Sequence, residues 1–153
     1  MALRVGIAGY GLAGRYFHAP LLKGCGFEIA AILTSNQLRA SHASMDFPGV
    51  RVVATMQEML THQLDLVVVA SANLAHAEQA AAALNAGIPV VVDKPLGRNF
   101  EETKSIVELS NKLGVPVSTF FNRRWDSDAL TIKKVLASGV LGDVHRMDSR
   151  FER

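Results

Sequence analysis

The sequence predicts an α/β fold: a doubly wound parallel sheet with helices on both faces, followed by a strand that would open a second, α+β domain. Three observations carry this expectation. Short apolar runs alternate with amphipathic helical stretches along the chain. Two of the runs, Leu66-Val67-Val68-Val69-Ala70 and Val90-Val91-Val92, are apolar at every position. Strands buried on both faces require that pattern. The first run also leads straight into a glycine-rich turn, Gly9-Tyr10-Gly11-Leu12-Ala13-Gly14.

The elements follow in order. Residues 3–8 form the first predicted strand, and 15–22 a helix after the glycine turn. Further strands are expected at 27–33, 51–53, 64–70, 89–92 and 117–121. Leu74, Ala77, Ala81 and Leu84 make one apolar helix face, with Asn73 as its expected N-cap and Gly87 just past its end. Asn99 with Glu102 reads as a capping box, and Ile106, Leu109 and Leu113 as a buried stripe ended by Gly114 and Pro116. A last helix is expected over 126–138, stopped by Gly139. From Val144 to Phe151 apolar and polar residues alternate, as in a strand with one buried face. The expected division is therefore a nucleotide-binding domain over 1–140 and the start of a truncated substrate domain over 141–153.

Composition bounds the function. The chain has 153 residues, about one domain, and its 49% apolar and 20% charged content excludes a disordered tail. Sixteen basic against fourteen acidic residues leave +2. Only Arg123-Arg124 clusters, so no nucleic-acid partner is expected. The lone Cys25 cannot form an intrachain disulfide, which fits a reducing compartment, and no base stands beside it to make it a nucleophile. No run reaches a membrane span. The apolar stretch from Val5 to Ala13 is followed by Arg15, Tyr16, Phe17 and His18 rather than a cleavage site, so a cytoplasmic protein is expected. His18, His42, His62 and His145 lack ligand spacing, and no metal site is expected.

A bare GxGxxG is weak, but this one leaves a strand, opens a helix and lies in a βαβ unit. Gly9 permits the tight turn, Gly11 lets backbone approach a pyrophosphate, and Gly14 lets the helix pack on the strand. The helix N-terminus then offers unpaired N–H groups to the phosphates. A Rossmann-type dinucleotide site follows. An acidic residue at the end of the second strand would select NAD. That place reads Leu33-Thr34-Ser35-Asn36, with Arg39 one turn on. Hydroxyls and a guanidinium suit a 2′-phosphate, so NADP is favoured over NAD.

Four segments together resemble a known family, the glucose-fructose oxidoreductase, inositol dehydrogenase and MocA-like oxidoreductases. They are Gly9 to Gly14 leading into Phe17-His18-Ala19-Pro20-Leu21-Leu22; Ser71-Ala72-Asn73 with His76; Val92-Asp93-Lys94-Pro95; and Asn122-Arg123-Arg124-Trp125-Asp126. Within that family the likeness is greatest to NADP-dependent scyllo-inositol dehydrogenases. It implies a cofactor domain followed by a mostly antiparallel substrate domain, and hydride exchange with a polyol, inositol or sugar. Asp93-Lys94-Pro95 matches the family's Glu-Lys-Pro motif, which would make Lys94 the catalytic residue that orients the reacting oxygen. Lys94 also follows the predicted strand 89–92, at the end where open α/β sheets bind ligands. Ser71, Asn73 and His76 would touch the nicotinamide ribose; Asn122 and Arg123 would lie near the nicotinamide end.

Three positions depart from the family pattern: Ala72 replaces a proline, Asp93 a glutamate, and Asn36 an arginine common in NADP-preferring relatives. The family's remaining proton-transfer residues belong to the second domain, so this chain by itself would be catalytically incomplete. A nucleotide-binding module without chemistry of its own is the alternative. A flavin- or adenosylmethionine-binding fold would leave Lys94 and Asn122-Arg123 unexplained. An unpaired strand over 144–151 would favour self-association, so a homo-oligomer is expected.

Overall fold

The computed structural model describes residues 2–150 and 152. It divides into two units, residues 1–120 and 121–153.

The first unit is a six-stranded sheet in the order β3-β2-β1-β4-β5-β6, every neighbouring pair parallel. Its strands are β1 (Arg4–Ala8), β2 (Glu28–Leu33), β3 (Arg51–Val53), β4 (Leu66–Val69), β5 (Val90–Asp93) and β6 (Val117–Phe120). Five helices connect them: α1 (Ala19–Gly24), α2 (Gln37–Asp46), α3 (Met56–Leu60), α4 (Asn73–Asn85) and α5 (Phe100–Leu113). Chain order reverses between β1 and β4, which makes the crevice at their carboxyl ends the place for a ligand.

Burial on both faces explains the unbroken apolar runs. Ala8, Val67, Val69, Val90 and Val92 pack on one side with Met59 of α3, Ala80, Ala83 and Leu84 of α4, and Ile106 of α5. Val5, Ile7, Ile32 and Val68 pack on the other with Tyr10, Ala19 of α1 and Ala43 of α2. Neighbouring residues of one strand thus enter opposite cores, and a polar residue at either parity would be stranded.

The helix after the glycine turn begins at Leu12, earlier than expected, and is wound as a π-helix over Gly14–His18 before it continues as α1. Helix α4 differs in two respects. Ala72 occupies the N-cap and offers no side-chain acceptor, so Asn73 is the first helical residue and not the cap. Its buried face runs through His76, Ala80, Ala83 and Leu84, whereas Leu74 is 69% exposed. A helix this rich in alanine carries little periodic signal, and His76, expected to touch the coenzyme ribose, lies on the buried face instead of marking it. Helix α5 follows expectation: Asn99 Oδ1 accepts from Glu102 N–H at 2.9 Å, and Gly114 closes the helix at φ +66°. The return half of the box is displaced by one residue, since Glu102 accepts from Arg98 N–H at 2.8 Å.

The second unit holds a short 3₁₀ turn (Asn122–Trp125) and α6 (Ser127–Ala137), of which no residue is buried. Residues 144–150 carry no regular structure. Their alternation suits a strand, but a strand exists only when a partner takes its hydrogen bonds, and among the described residues none does. Phe151 lies outside the described residues.

Candidate coenzyme-binding site

The glycine turn runs from the carboxyl end of β1, and each glycine meets a different constraint. Gly9 has φ +100°, and a Cβ there would lie 2.6 Å from Ala70 O and from Ser71 Cα. The turn therefore presses on the chain leaving β4. A Cβ on Gly14 would fall 2.0 Å from Gly9 O, so the helix can close on the turn only without one. Gly11 is different. Its Cβ would meet the Arg39 guanidinium at 3.5 Å, an ordinary contact, and nothing in the protein itself requires glycine there. What Gly11 keeps open is the cavity above it.

That cavity has a volume of about 400 Å³ and lies at the switch point of the sheet. Gly9, Gly11, Leu12 and Ala13 form its floor, Thr34, Ser35 and Arg39 one end, and Ser71 and Ala72 the other. Leu12 begins the helix, so the first N–H groups of that helix have no carbonyl of their own and can serve an anion. The residues fit a dinucleotide: an open glycine backbone, a helix start, and a guanidinium at one end. A cavity of similar volume, about 430 Å³, opens at the amino ends of β1, β2 and β3 beside Arg4, Glu28 and Arg51. It contains none of the expected site residues, and strand amino ends are not where such sheets bind ligands.

At the β2 end, Asn36 caps α2: its Oδ1 accepts from Arg39 N–H at 3.0 Å. Thr34 Oγ1 in turn accepts from Asn36 N–H at 3.3 Å. The loop is thus held by its own side chains, and no carboxylate lines the cavity. Tyr10 is 1% exposed, does not line that cavity, and its hydroxyl donates to Asp46 Oδ2 at 2.9 Å. Burial, and then the bond to Asp46, pushes the Tyr10 phenol well above its ordinary range.

The β4 and β5 ends are joined by His76. Its ring is buried, with Nδ1 2.7 Å from Pro95 O and Nε2 3.2 Å from Ser71 O. Both carbonyls can only accept, so each contact is a hydrogen bond only where the ring nitrogen carries the hydrogen. Ser71 Oγ donates to Gln79 Oε1 at 2.7 Å, while Asn73 is exposed at the start of α4. Lys94 is exposed beyond β5, and its backbone N–H donates to Asp93 Oδ1 at 2.9 Å. Asp93 therefore engages the Lys94 backbone. Asn122 and Arg123 fall in the second unit, where Arg123 Nη1 donates to Asp126 Oδ2 at 2.9 Å.

Sequence reasoning missed Asp46, whose partners Tyr10 and Arg15 lie more than thirty residues away. It also passed over His18 as a site neighbour. His18 is 3% exposed, its ring packs tilted by 50° against Phe120 at a centroid distance of 4.4 Å, and its Nε2 has no hydrogen-bond partner. Burial lowers the His18 pKa, and the nearby Asp93 charge offsets this in part. Among the described residues no cluster of His, Cys, Asp and Glu could hold a metal ion, and no helix is long and apolar enough to cross a membrane.

Comparison with known proteins agrees with this fold. Residues 3–121 match the model of an oxidoreductase family with an NAD-binding Rossmann fold. An uncharacterized oxidoreductase of Escherichia coli K12, YdgJ, is 42% identical over 99% of this chain and 43% of its own length. The scyllo-inositol 2-dehydrogenase (NADP(+)) IolW of Bacillus subtilis is 37% identical over 99% of this chain and 42% of its own. A solved NAD-binding protein from Listeria innocua superposes with a TM-score of 0.85 at 27% identity, covering 94% of this chain and 42% of that one. The chain spans less than half the length of the relatives it matches.

Proposed function

The chain belongs to the oxidoreductase family with an NAD-binding Rossmann fold, and we propose that it is the coenzyme-binding portion of an NAD(P)-dependent dehydrogenase acting on a polyol, inositol or sugar. The observation that carries this reading is Gly11. It is the one glycine of the motif that internal packing does not demand, and it faces a cavity framed by a helix start and by Arg39.

The residues divide the work along that cavity. Backbone groups of Gly9, Tyr10, Gly11, Leu12, Ala13 and Gly14 would take the pyrophosphate. Thr34, Ser35, Asn36 and Arg39 would hold the ribose 2′-position, and the lack of a carboxylate there favours NADP. Ser71, Asn73 and His76 would support the nicotinamide ribose, with Asp93, Asn122 and Arg123 near the reacting end. When bound, the coenzyme supplies hydride transfer at nicotinamide C4. Lys94 would hold the substrate oxygen and share in moving its proton. Residues 141–153 would lead into a substrate domain that supplies the remaining groups. The NADP-dependent inositol relative supports both the coenzyme and the substrate class.

The test is Lys94→Ala in a form that includes the substrate domain. Turnover is expected to fall about 10²–10⁴-fold, the usual worth of a positioned acid–base group, with coenzyme affinity nearly unchanged. Normal turnover would remove Lys94 from the mechanism.

A further inference from the structure

Helix α2 approaches the glycine turn near its start and is bonded to it at its last residue. Near its start, Arg39 lays its guanidinium 3.5 Å from the place a Gly11 Cβ would occupy. At its last residue, Asp46 Oδ2 accepts from Tyr10 Oη at 2.9 Å and from Arg15 Nε at 2.7 Å, while Oδ1 accepts from Arg15 Nη2 at 3.1 Å. Tyr10 lies inside the turn and Arg15 on the first coils of the helix that follows it. A carboxylate at a helix C-terminus opposes the helix dipole, so the end of α2 carries Asp46 against local preference. The bidentate Arg15 bond offsets that cost and holds the Asp46 carboxyl below its ordinary range.

The structure assigns Asp46, through Tyr10 and Arg15, the role of a positioning residue for coenzyme discrimination. This rests on the coenzyme reading above. The pyrophosphate cradle belongs to the turn, whereas Asn36 and Arg39, which face the ribose 2′-position, belong to the cap and first turn of α2. The distance between those two sets of groups is what separates a coenzyme with a 2′-phosphate from one without. Asp46 fixes that distance without touching the coenzyme. His42, on the same helix, lines a second cavity with Arg15, Asn36 and Arg39, so displacement of α2 moves the basic groups together.

Charge alone predicts the opposite sign. Removing the Asp46 carboxylate unmasks Arg15 and would strengthen binding of a phosphate, by about two-fold for a screened charge at this kind of separation. Tyr10→Phe changes no charge and isolates the positioning effect.

The experiment titrates the 153-residue chain and its Asp46→Asn and Tyr10→Phe variants with NADPH and with NADH, following nicotinamide fluorescence. Thermal unfolding of each variant is measured alongside. Positioning predicts that Asp46→Asn weakens NADPH about ten-fold and Tyr10→Phe about three-fold, the scale of one lost or misaligned charge-assisted contact, with NADH changed less than two-fold. A merely structural role would lower both affinities in step with the unfolding temperature, and that outcome overturns the assignment, as does an unchanged ratio or a gain in NADPH affinity. If the unaltered chain binds neither dinucleotide, the coenzyme reading itself fails and this assignment with it.

Discussion

His76 Nδ1 lies 2.7 Å from the carbonyl oxygen of Pro95, the residue after Lys94, while Nε2 faces Ser71 O at 3.2 Å. One buried ring thereby ties together the loops that leave β4 and β5. The candidate catalytic lysine stands on an exposed loop whose backbone is anchored from beneath. His76→Ala should cost about 2–4 kcal/mol, since it opens a cavity at the buried ring and removes the link between Pro95 O and Ser71 O. Denaturant unfolding of the 153-residue chain measures this; a loss below about 0.5 kcal/mol, the size of an ordinary surface substitution, contradicts the anchor.

The glycines of the turn separate packing from binding. Gly14→Ala places a methyl 2.0 Å from Gly9 O and should prevent normal folding or cost several kcal/mol, about 3 or more. Gly11→Ala meets only the flexible tip of Arg39, so stability should change by less than about 1 kcal/mol. Its methyl nevertheless enters the cavity, and dinucleotide affinity should fall at least about ten-fold. Circular dichroism melts and coenzyme titration of both variants distinguish the two roles. Equal destabilisation by the two substitutions is the contrary result.

His18 gives the fold a pH dependence of defined sign. Burial depresses its pKa in the folded chain below the ordinary 6.5 of an unfolded histidine. The unfolded state then binds more protons, and the stabilisation is complete above pH 6.5 and is lost as pH falls toward the depressed folded value. Unfolding midpoints of the wild-type chain should therefore drop between pH 7 and pH 5. In His18→Phe, which has nothing to titrate and keeps the contact with Phe120, that part of the slope should disappear. Parallel slopes in the two proteins would place the effect elsewhere.

The cap of α5 is a local, independent test. Asn99 Oδ1 accepts from Glu102 N–H at 2.9 Å, and Asn99→Ala should cost about 1 kcal/mol. Asn99→Gly should cost only a few tenths, because glycine keeps the extended backbone of an N-cap and exposes the N–H groups to water. If both cost the same, the side-chain bond contributes nothing.

What could be read in the sequence, and what could not, follows from range. The strands at the centre announced themselves because residues buried on both faces leave no polar position, as in Leu66-Val67-Val68-Val69. The glycine turn and the Asn99 cap are encoded within a few residues of where they act. Helix α2 escaped notice because only Ala43 is buried on it, with Leu38 and Met45 exposed, so no apolar stripe marks it. Asp46 was invisible for another reason, its partners being 36 and 31 residues away in sequence. His76 was singled out as a ligand candidate, but its carbonyl partners are set by tertiary structure, and a polar type at helical spacing does not say which way it faces. The alternation at 144–150 was legible; its partner was not, and no strand forms without one.

The central claim is that the cavity above Gly11 binds a nicotinamide dinucleotide by its 2′-phosphate as well as its pyrophosphate. The most direct test compares Arg39→Ala with the unaltered 153-residue chain in titrations with NADPH and NADH. The account predicts tighter binding of NADPH by the unaltered chain. In Arg39→Ala that advantage should be lost, a fall of about ten-fold or more in NADPH affinity, with little change for NADH. An unaltered chain that prefers NADH, or a variant that keeps its preference for NADPH, would contradict the assignment of Arg39 and the loop from Thr34 to Asn36.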